Sequence, residues 1–248
     1  MHIYKMNINI DSMNKYFLNN ENIYYIIEKM NRYKNKSNKK TIVKNKNINK
    51  TKNIFDYFFV PSSLYQDSLF WCWYILSQGI TSYSFAENFT YKTKKDTIMT
   101  LIEPLRKEKK FLYTKKIKIC DIESNLLYDE YININTFRAI LLIHSYNLIY
   151  ITDKLYFEDI SFLDNKTCII YEKNDKFGIY ISDDDLDLLD IKSKRIIIQN
   201  LHKPISAISN YKVNELKDMC KILNIDIMKT PTKSKTKKEL YELLLQEF

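Results

Sequence analysis

Residues 66–78, QDSLFWCWYILSQ, decide how the centre of this chain is built. On a helix, their apolar side chains stand on nearly every side and not along one stripe. Such a helix is stable only where other elements surround it, so we expect it in the middle of the core. Gly79 follows the stretch and predicts the end of the helix.

Around this helix the pattern predicts helices first and strands afterwards. An apolar, strand-like run precedes it at residues 55–60. Turn residues separate the later strands, which predicts an antiparallel β-meander. Residues 54–205 are therefore expected to form an α+β domain. The predicted helices are residues 94–110, 121–128 and 135–144, and the predicted strands are residues 148–152, 155–158, 167–172, 177–182 and 195–199.

The 248 residues leave room for one main domain and smaller appendages. Residues 1–31 are predicted to form an N-terminal helical segment. Residues 32–53 contain eight lysines, one arginine and no acid, with few large apolar side chains. We expect this stretch to be a disordered basic linker that lies along phosphates by charge alone. A solvated loop whose lysines reflect codon bias is an equally good interpretation.

The formal net charge of +9 favours polyanionic partners. The chain is also rich in Lys, Asn, Ile and Tyr, which is typical of an AT-rich genome and inflates lysine without a ligand. Only local clusters of charge are therefore informative. Gly79 and Gly178 are the only glycines, which excludes a glycine-rich phosphate loop and a dinucleotide-binding loop.

Two short amphipathic helices and a lysine-rich turn are predicted in residues 208–248. One face of the first helix carries Val213, Leu216, Cys220 and Leu223, and one face of the second carries Leu240, Leu243 and Leu244. Helices of this length are not stable alone, so the two faces are expected to pack together. That packing leaves the turn lysines and the start of the second helix exposed, which makes a site for phosphate.

This segment resembles the SAP motif, a helix-turn-helix module that binds DNA or RNA. Lys235 stands where the family has a glycine before the second helix. Asn224 replaces the glycine that ends the first helix, and asparagine tolerates the left-handed conformation needed there. A helical hairpin with a solvated charged turn is the alternative. The matching residues are Val213, Glu215, Leu216, Lys217, Leu223, Ile225, Lys237, Leu240 and Leu244.

The leading hypothesis is a non-catalytic nucleic-acid-binding protein without a cofactor. Its partner is expected to be double-stranded DNA with weak sequence preference, because phosphate contacts carry no base information. About five phosphate contacts would give a log–log salt slope of about −4 to −5. The lysines predicted to make these contacts are Lys217, Lys229, Lys233, Lys235, Lys237 and Lys238.

A second pattern favours an enzyme. Gln66 precedes Cys72 by six residues, and His144 and Asp153 follow later in the chain. This order resembles papain-like cysteine proteases. The resemblance implies Cys72 as nucleophile, His144 as base, Asp153 as the residue that orients the base, and Gln66 as oxyanion donor.

The chain departs from that family at the cysteine itself. Trp71 and Trp73 flank Cys72, whereas papain-like enzymes have small residues there so that substrate reaches the sulfur. An inactive relative of the fold, or a packed core with no site, are the alternatives. A buried cysteine among aromatic side chains behaves as a small hydrophobic group.

No metal site is expected from the remaining chemistry. The four cysteines are far apart without a C-x-x-C pair, and with three histidines they make no zinc pattern. An acidic run lacks the glycine and terminal glutamate of an EF-hand loop, so a solvated turn or an internal mimic of phosphate is favoured over a divalent metal. Its members are Asp183, Asp184, Asp185, Asp187 and Asp190.

The core run DSLFWCWYI resembles a run found in uncharacterised proteins of large double-stranded DNA viruses. That resemblance implies a viral factor in the host cytoplasm or the virion. A scaffold protein whose aromatic body binds other proteins is a third hypothesis. No apolar run approaches the length of a membrane span, and no signal peptide is visible.

Overall fold

The computed structural model describes residues 54–61, 67–86, 89–181, 186–230 and 233–248. The predicted N-terminal helical segment (residues 1–31) and the predicted basic linker (residues 32–53) lie outside these residues. Gln66 and residues 183–185 of the acidic run also lie outside them. The described residues form an α+β structure, as predicted, with a mixed six-stranded sheet and eight α-helices.

The helices precede most of the sheet in the chain. Gly79 adopts φ 84°, which interrupts the regular geometry of α1 at the predicted end, but helical structure resumes as far as Ala86. The helices are α1 (Ser68–Ala86), α2 (Thr90–Lys107), α3 (Lys109–Thr114), α4 (Ile119–Tyr128), α5 (Ile134–Ile143), α6 (Leu188–Ser193), α7 (Val213–Ile222) and α8 (Lys237–Leu245).

The six strands run in the order β1-β5-β4-β2-β3-β6. Neighbouring strands β2 and β3 are antiparallel, as are β4 and β5, while β2 is parallel to β4 and β3 is parallel to β6. The strands are β1 (Phe58–Phe59), β2 (Asn147–Ile151), β3 (Leu155–Asp159), β4 (Thr167–Lys173), β5 (Lys176–Tyr180) and β6 (Ile196–Ile198).

The predicted antiparallel meander is therefore only partly correct. Two hairpins are present, but the chain passes from β3 across β2 before it forms β4. A meander would leave β2 at an edge, yet every residue of β2 is buried. A strand buried on both faces is stable only in the middle of a sheet, which is where β2 lies.

The sheet is covered on both faces. One face carries Leu148, Ile170 and Ile179, which share a buried cluster with side chains of α1 and α5. The other face carries Ile151 and Tyr171, which pack with residues of α6 and of a short 3₁₀ turn, Ile54–Tyr57. No helix among the described residues is long and apolar enough to cross a bilayer.

The start of α1 is fixed by a buried aspartate. Asp67 is 4% exposed, and its carboxylate accepts hydrogen bonds from the backbone N–H groups of Phe70 (3.0 Å) and Ile132 (2.9 Å). It also pairs with the Lys94 ammonium at 2.7 Å. Asp67 therefore caps α1 and ties it to α2 and to the segment before α5.

Candidate nucleic-acid interface

The C-terminal hairpin packs through part of its predicted apolar faces. Helix α7 packs against α8, and Leu216, Cys220, Leu240 and Leu244 are fully buried. Leu223 and Leu243 are half-buried, and Val213 is 39% exposed. Asn224 ends α7 at φ 57°, the left-handed conformation expected of it. The two helices thus form a rigid frame for the turn between them.

The hairpin is also docked on the main domain. Its four buried residues belong to the same apolar cluster as the centre of the molecule. The Tyr241 hydroxyl donates to the Ser206 carbonyl at 2.9 Å, and the Ser206 N–H donates to the Tyr211 hydroxyl at 2.9 Å. At the chain end, Lys154 pairs with Glu247 at 2.6 Å. These contacts fix the direction in which the turn projects.

The turn between the helices contains a two-stranded hairpin and is cationic. Strands β7 (Met228–Thr230) and β8 (Lys233–Ser234) pair antiparallel within it. Residues 229–238 contain five lysines and no acid. A dense group of ammonium charges without an interleaved carboxylate is the electrostatic pattern that binds phosphates.

The start of α8 carries a capping box that reduces its value as an anion site. The Thr236 hydroxyl accepts from the Glu239 N–H at 3.3 Å, and the Glu239 carboxylate accepts from the Thr236 N–H at 2.8 Å. A hydrogen bond from Lys229, with the two from Thr236, lowers the pKa of Glu239 to about 2. A phosphate at this helix start therefore meets an ionised carboxylate. The backbone N–H groups of Lys237 and Lys238 take no part in the capping box.

The six lysines predicted to bind phosphate fall into two groups. Lys229 pairs with Glu239, Lys238 lies 3.8 Å from Glu242, and the half-buried Lys235 donates to the Asp226 carbonyl. Within the described residues, the others form no ion pair; these are Lys217, Lys233 and Lys237.

Exposure separates the lysines further. Lys233 and Lys238 are exposed, whereas Lys217 and Lys237 are half-buried. Lys233 lies on β8 and Lys237 opens α8, so both stand on the turn side of the hairpin. These two carry the clearest unpaired positive charge at the predicted site.

The thiol of the proposed enzyme is closed to substrate. Cys72 is fully buried, and its sulfur lies 3.8 Å from the Phe177 carbonyl. Burial, reinforced by Cys168 and Asp67, raises the pKa of the Cys72 thiol well above its ordinary value of 9.0. A thiol that resists ionisation and has no access to solvent does not act as a nucleophile.

The other members of the predicted catalytic set have partners of their own. His144 closes α5, where its Nδ1 lies 2.9 Å from the Ile140 carbonyl and its ring stacks on Trp73 at 4.6 Å between centroids. Asp153 accepts a hydrogen bond from the Tyr171 hydroxyl at 2.5 Å. The thiol-hydrolase hypothesis therefore has no support in the described residues.

The aromatic run around Cys72 is core and not surface. Phe70, Trp71 and Trp73 are at most 3% exposed. These side chains fill the space between the helices and the sheet, so they offer no surface to a protein partner. A scaffold whose aromatic body binds other proteins would use other, exposed aromatic side chains, such as Tyr91 and Tyr128.

The described part of the acidic run serves the local structure. Asp187 caps α6 by accepting from the Asp190 N–H at 2.9 Å. The Asp190 carboxylate pairs with Lys194 at 2.6 Å. Across the described residues, no group of three or more His, Cys, Asp and Glu side chains is arranged to hold a metal ion.

A groove of about 570 Å³ lies between α2 and α4. Tyr91, Lys95 and Met99 form one wall, and Leu127 and Glu130 belong to the other. The mixed charge of these walls does not favour a polyanion.

The sequence interpretation missed a second basic stretch on the main domain. Residues 106–118 contain seven basic residues and a single acid, Glu108, whereas the hairpin turn contains five lysines. A local charge count would have found it.

Comparison with known proteins gives no relative: no family of known proteins, no curated protein and no solved structure matches this chain.

Proposed function

We propose that this protein is a non-catalytic nucleic-acid-binding protein that grips phosphates with its C-terminal hairpin. The observation that carries this proposal is the group of five lysines in residues 229–238, presented on a packed and docked frame, in which Lys233 and Lys237 form no ion pair among the described residues. The resemblance to the SAP motif adds to it. The resemblance of the core run DSLFWCWYI to proteins of large double-stranded DNA viruses supports a role in the host cytoplasm or the virion.

The lysines of the hairpin differ in whether another group already holds their ammonium. Lys233 and Lys237 lack an acidic partner among the described residues, so they bind phosphate without first breaking an ion pair. Lys229 and Lys235 are held by Glu239 and by the Asp226 carbonyl, so they hold the turn in shape. The preferred ligand is duplex DNA bound with little sequence preference, since the site offers charge and few groups that read bases.

The test replaces both unpaired lysines, in a Lys233→Gln/Lys237→Gln variant. Binding to a labelled duplex is followed by fluorescence anisotropy over a range of salt. We expect affinity at low salt to fall by more than about tenfold, and the log–log salt slope to become shallower by about 1.8, because two phosphate contacts are lost.

The matched control is Lys166→Gln/Lys176→Gln, which removes the same charge from exposed positions on the main domain that form no ion pair among the described residues. It separates the hairpin from the general positive charge of the protein. Equal affinities and slopes for the two double variants would remove the hairpin from the mechanism. Unchanged far-UV circular dichroism would show that both variants are folded.

A further inference from the structure

The stretch from Arg106 to Lys118 forms a basic surface on the main domain, far from the hairpin in sequence. Three of its seven basic side chains are neutralised by carboxylates. Arg106 pairs with Glu123 at 2.6 Å and Lys107 pairs with Glu103 at 2.8 Å. The four others are exposed and form no ion pair within the described residues; these are Lys109, Lys110, Lys116 and Lys118.

The frame of this surface is rigid. Leu112 of α3 is fully buried, and the ring of Phe111 packs on that of Phe162 at 6.1 Å. Lys115 folds inward, where its ammonium donates to the Ser161 hydroxyl at 2.6 Å and lies 3.6 Å from the Asp159 carboxylate. The helix is therefore held from below while its outer face stays open.

An exposed aromatic ring stands among these ammonium groups. Tyr113 is 77% exposed. Lys109 and Lys110 precede it on α3 by four and three residues, a spacing that puts the three residues on the same helical face. Lys116 follows α3 in a left-handed conformation at φ 60°. We call these four lysines and Tyr113 the α3 patch.

An aromatic ring between cations is the arrangement that binds unpaired bases. Bases stack on exposed aromatic side chains, while lysines at either side hold the neighbouring phosphates. A paired base in a duplex does not expose its face to such a ring. The patch thus combines both groups that a single strand needs, whereas the hairpin turn offers charge without an aromatic ring.

We infer that the α3 patch binds single-stranded nucleic acid, with one base stacked on Tyr113 and phosphates held by the adjoining lysines. This inference goes beyond the proposed function, because it assigns a second site and a different form of nucleic acid. It does not require that the hairpin bind duplex DNA.

An anionic membrane surface is the rival partner for a basic patch. Membrane binding through a short helix needs a large apolar face in the interface. Here the large apolar side chains of residues 106–118 point inward: Leu112 and Ile117 are buried and Phe111 is half-buried. Tyr113 alone is too small an apolar group to anchor the protein, so the single strand is favoured.

The experiment measures binding of the full chain to a labelled oligothymidylate of about 20 nucleotides, which exceeds the site size of most single-strand-binding folds. Tyr113→Ala is compared with Tyr113→Phe, which keeps the ring. Tyr128→Ala is the matched control, because Tyr128 is 82% exposed on another helix. Loss of one stacked base predicts an affinity about fivefold or more weaker for Tyr113→Ala, while the other two variants bind as the wild type does.

A second variant tests the charges. Lys109→Gln/Lys110→Gln should make the log–log salt slope for the oligothymidylate shallower by about 1.4, because two contacts to a single strand are lost. Sedimentation with phosphatidylcholine vesicles containing phosphatidylserine tests the rival partner. Vesicle binding that depends on Lys109 and Lys110, with oligothymidylate binding unaffected, would assign the patch to membranes.

The inference is overturned if Tyr113→Ala binds the oligothymidylate as tightly as the wild type, or if Tyr113→Phe is as weak as Tyr113→Ala. The hairpin variant separates the two proposals. If Lys233→Gln/Lys237→Gln leaves duplex binding unchanged while Tyr113→Ala weakens oligothymidylate binding, the hairpin proposal fails and the single-strand site stands. The reverse result leaves the hairpin and removes the patch.

Discussion

Replacing Asp67 by asparagine tests how the start of the core helix is held. The Asn side chain has nearly the same shape and keeps one oxygen, which continues to accept from the Phe70 N–H. The other carboxylate oxygen becomes an NH₂ group. In the native protein that oxygen accepts from the Ile132 N–H and from the Lys94 ammonium. In Asp67→Asn the NH₂ group takes its place, so both of these donors face another donor and lose their acceptor.

The expected loss of stability follows from these two contacts. A buried N–H group left without an acceptor costs about 1–3 kcal/mol. Breaking a buried ion pair costs up to about 3–5 kcal/mol, but Lys94 keeps 22% exposure and the Glu130 carbonyl, so water offsets part of it. We expect a total of about 3 kcal/mol in the free energy of unfolding.

Guanidinium denaturation followed by circular dichroism measures this loss as a lower midpoint at an unchanged m-value. Asp164→Asn is the control, because Asp164 is exposed on a loop of the sheet. In a double-mutant cycle, Lys94→Met should cost less in the Asp67→Asn background than in the wild type. A loss below about 1 kcal/mol for Asp67→Asn, or additive effects in the cycle, would refute the assigned role.

Two further predictions concern thiols and acid. Cys120 is the only exposed cysteine of the four. A thiol reagent should therefore modify one thiol in the native protein and four after unfolding. Rapid modification of a second thiol in the native protein would contradict the burial of the other three. Burial alone would raise the pKa of Asp159, but Ser161, Arg138 and Lys115 lower it below 3.8. This carboxylate therefore stabilises the fold above pH 3.8, and its contribution is lost as the pH falls through the lowered pKa. In Arg138→Gln the free energy of unfolding should fall less steeply with acid than in the wild type. An unchanged pH profile would contradict this.

The sequence predicts the elements of this fold better than their arrangement. Periods of 3.6 and 2 residues locate α4, α5 and β2 to β5 within a few residues, because local patterning determines helix and strand. The order of strands in the sheet depends on contacts between residues that are far apart in the sequence. A pattern read over a few neighbouring residues does not contain that information. One signal was available: the unbroken apolar run at residues 148–151 is typical of a central strand, and a meander would have put it at an edge.

For the candidate site as well, the sequence predicts the helices better than the contacts between side chains. The apolar repeats predict that Leu216 and Leu240 meet, and Asn224 takes the conformation that replacing a glycine requires. The ion pairs of the turn were missed. Thr236 and Glu239 have the spacing of a capping box, and that motif alone indicates that an acid occupies the helix start where phosphate was expected.

The papain-like order of residues misled for a related reason. Order along the chain places Cys72, His144 and Asp153 in sequence, but catalysis depends on whether the three side chains meet. Each of them is satisfied elsewhere, by a carbonyl, by a ring and by a tyrosine hydroxyl respectively. Flanking tryptophans were the better signal, since bulky neighbours indicate a packed interior.

The two proposed sites are tied to opposite ends of one strand. The hairpin reaches the start of β3 through the Lys154–Glu247 pair, and the α3 patch reaches its end through the Lys115–Asp159 pair. Five residues of extended chain put these anchor points about 17 Å apart. Glu247 follows the end of α8 and Lys237 opens that helix, so the span between the two sites is not the span between their anchors. The decisive ligand is a nucleic acid with a paired segment and an unpaired tail long enough to reach both sites. Such a ligand would gain effective concentration at the second site, so losing either site should weaken its binding more than it weakens binding of a ligand that reaches only the other site.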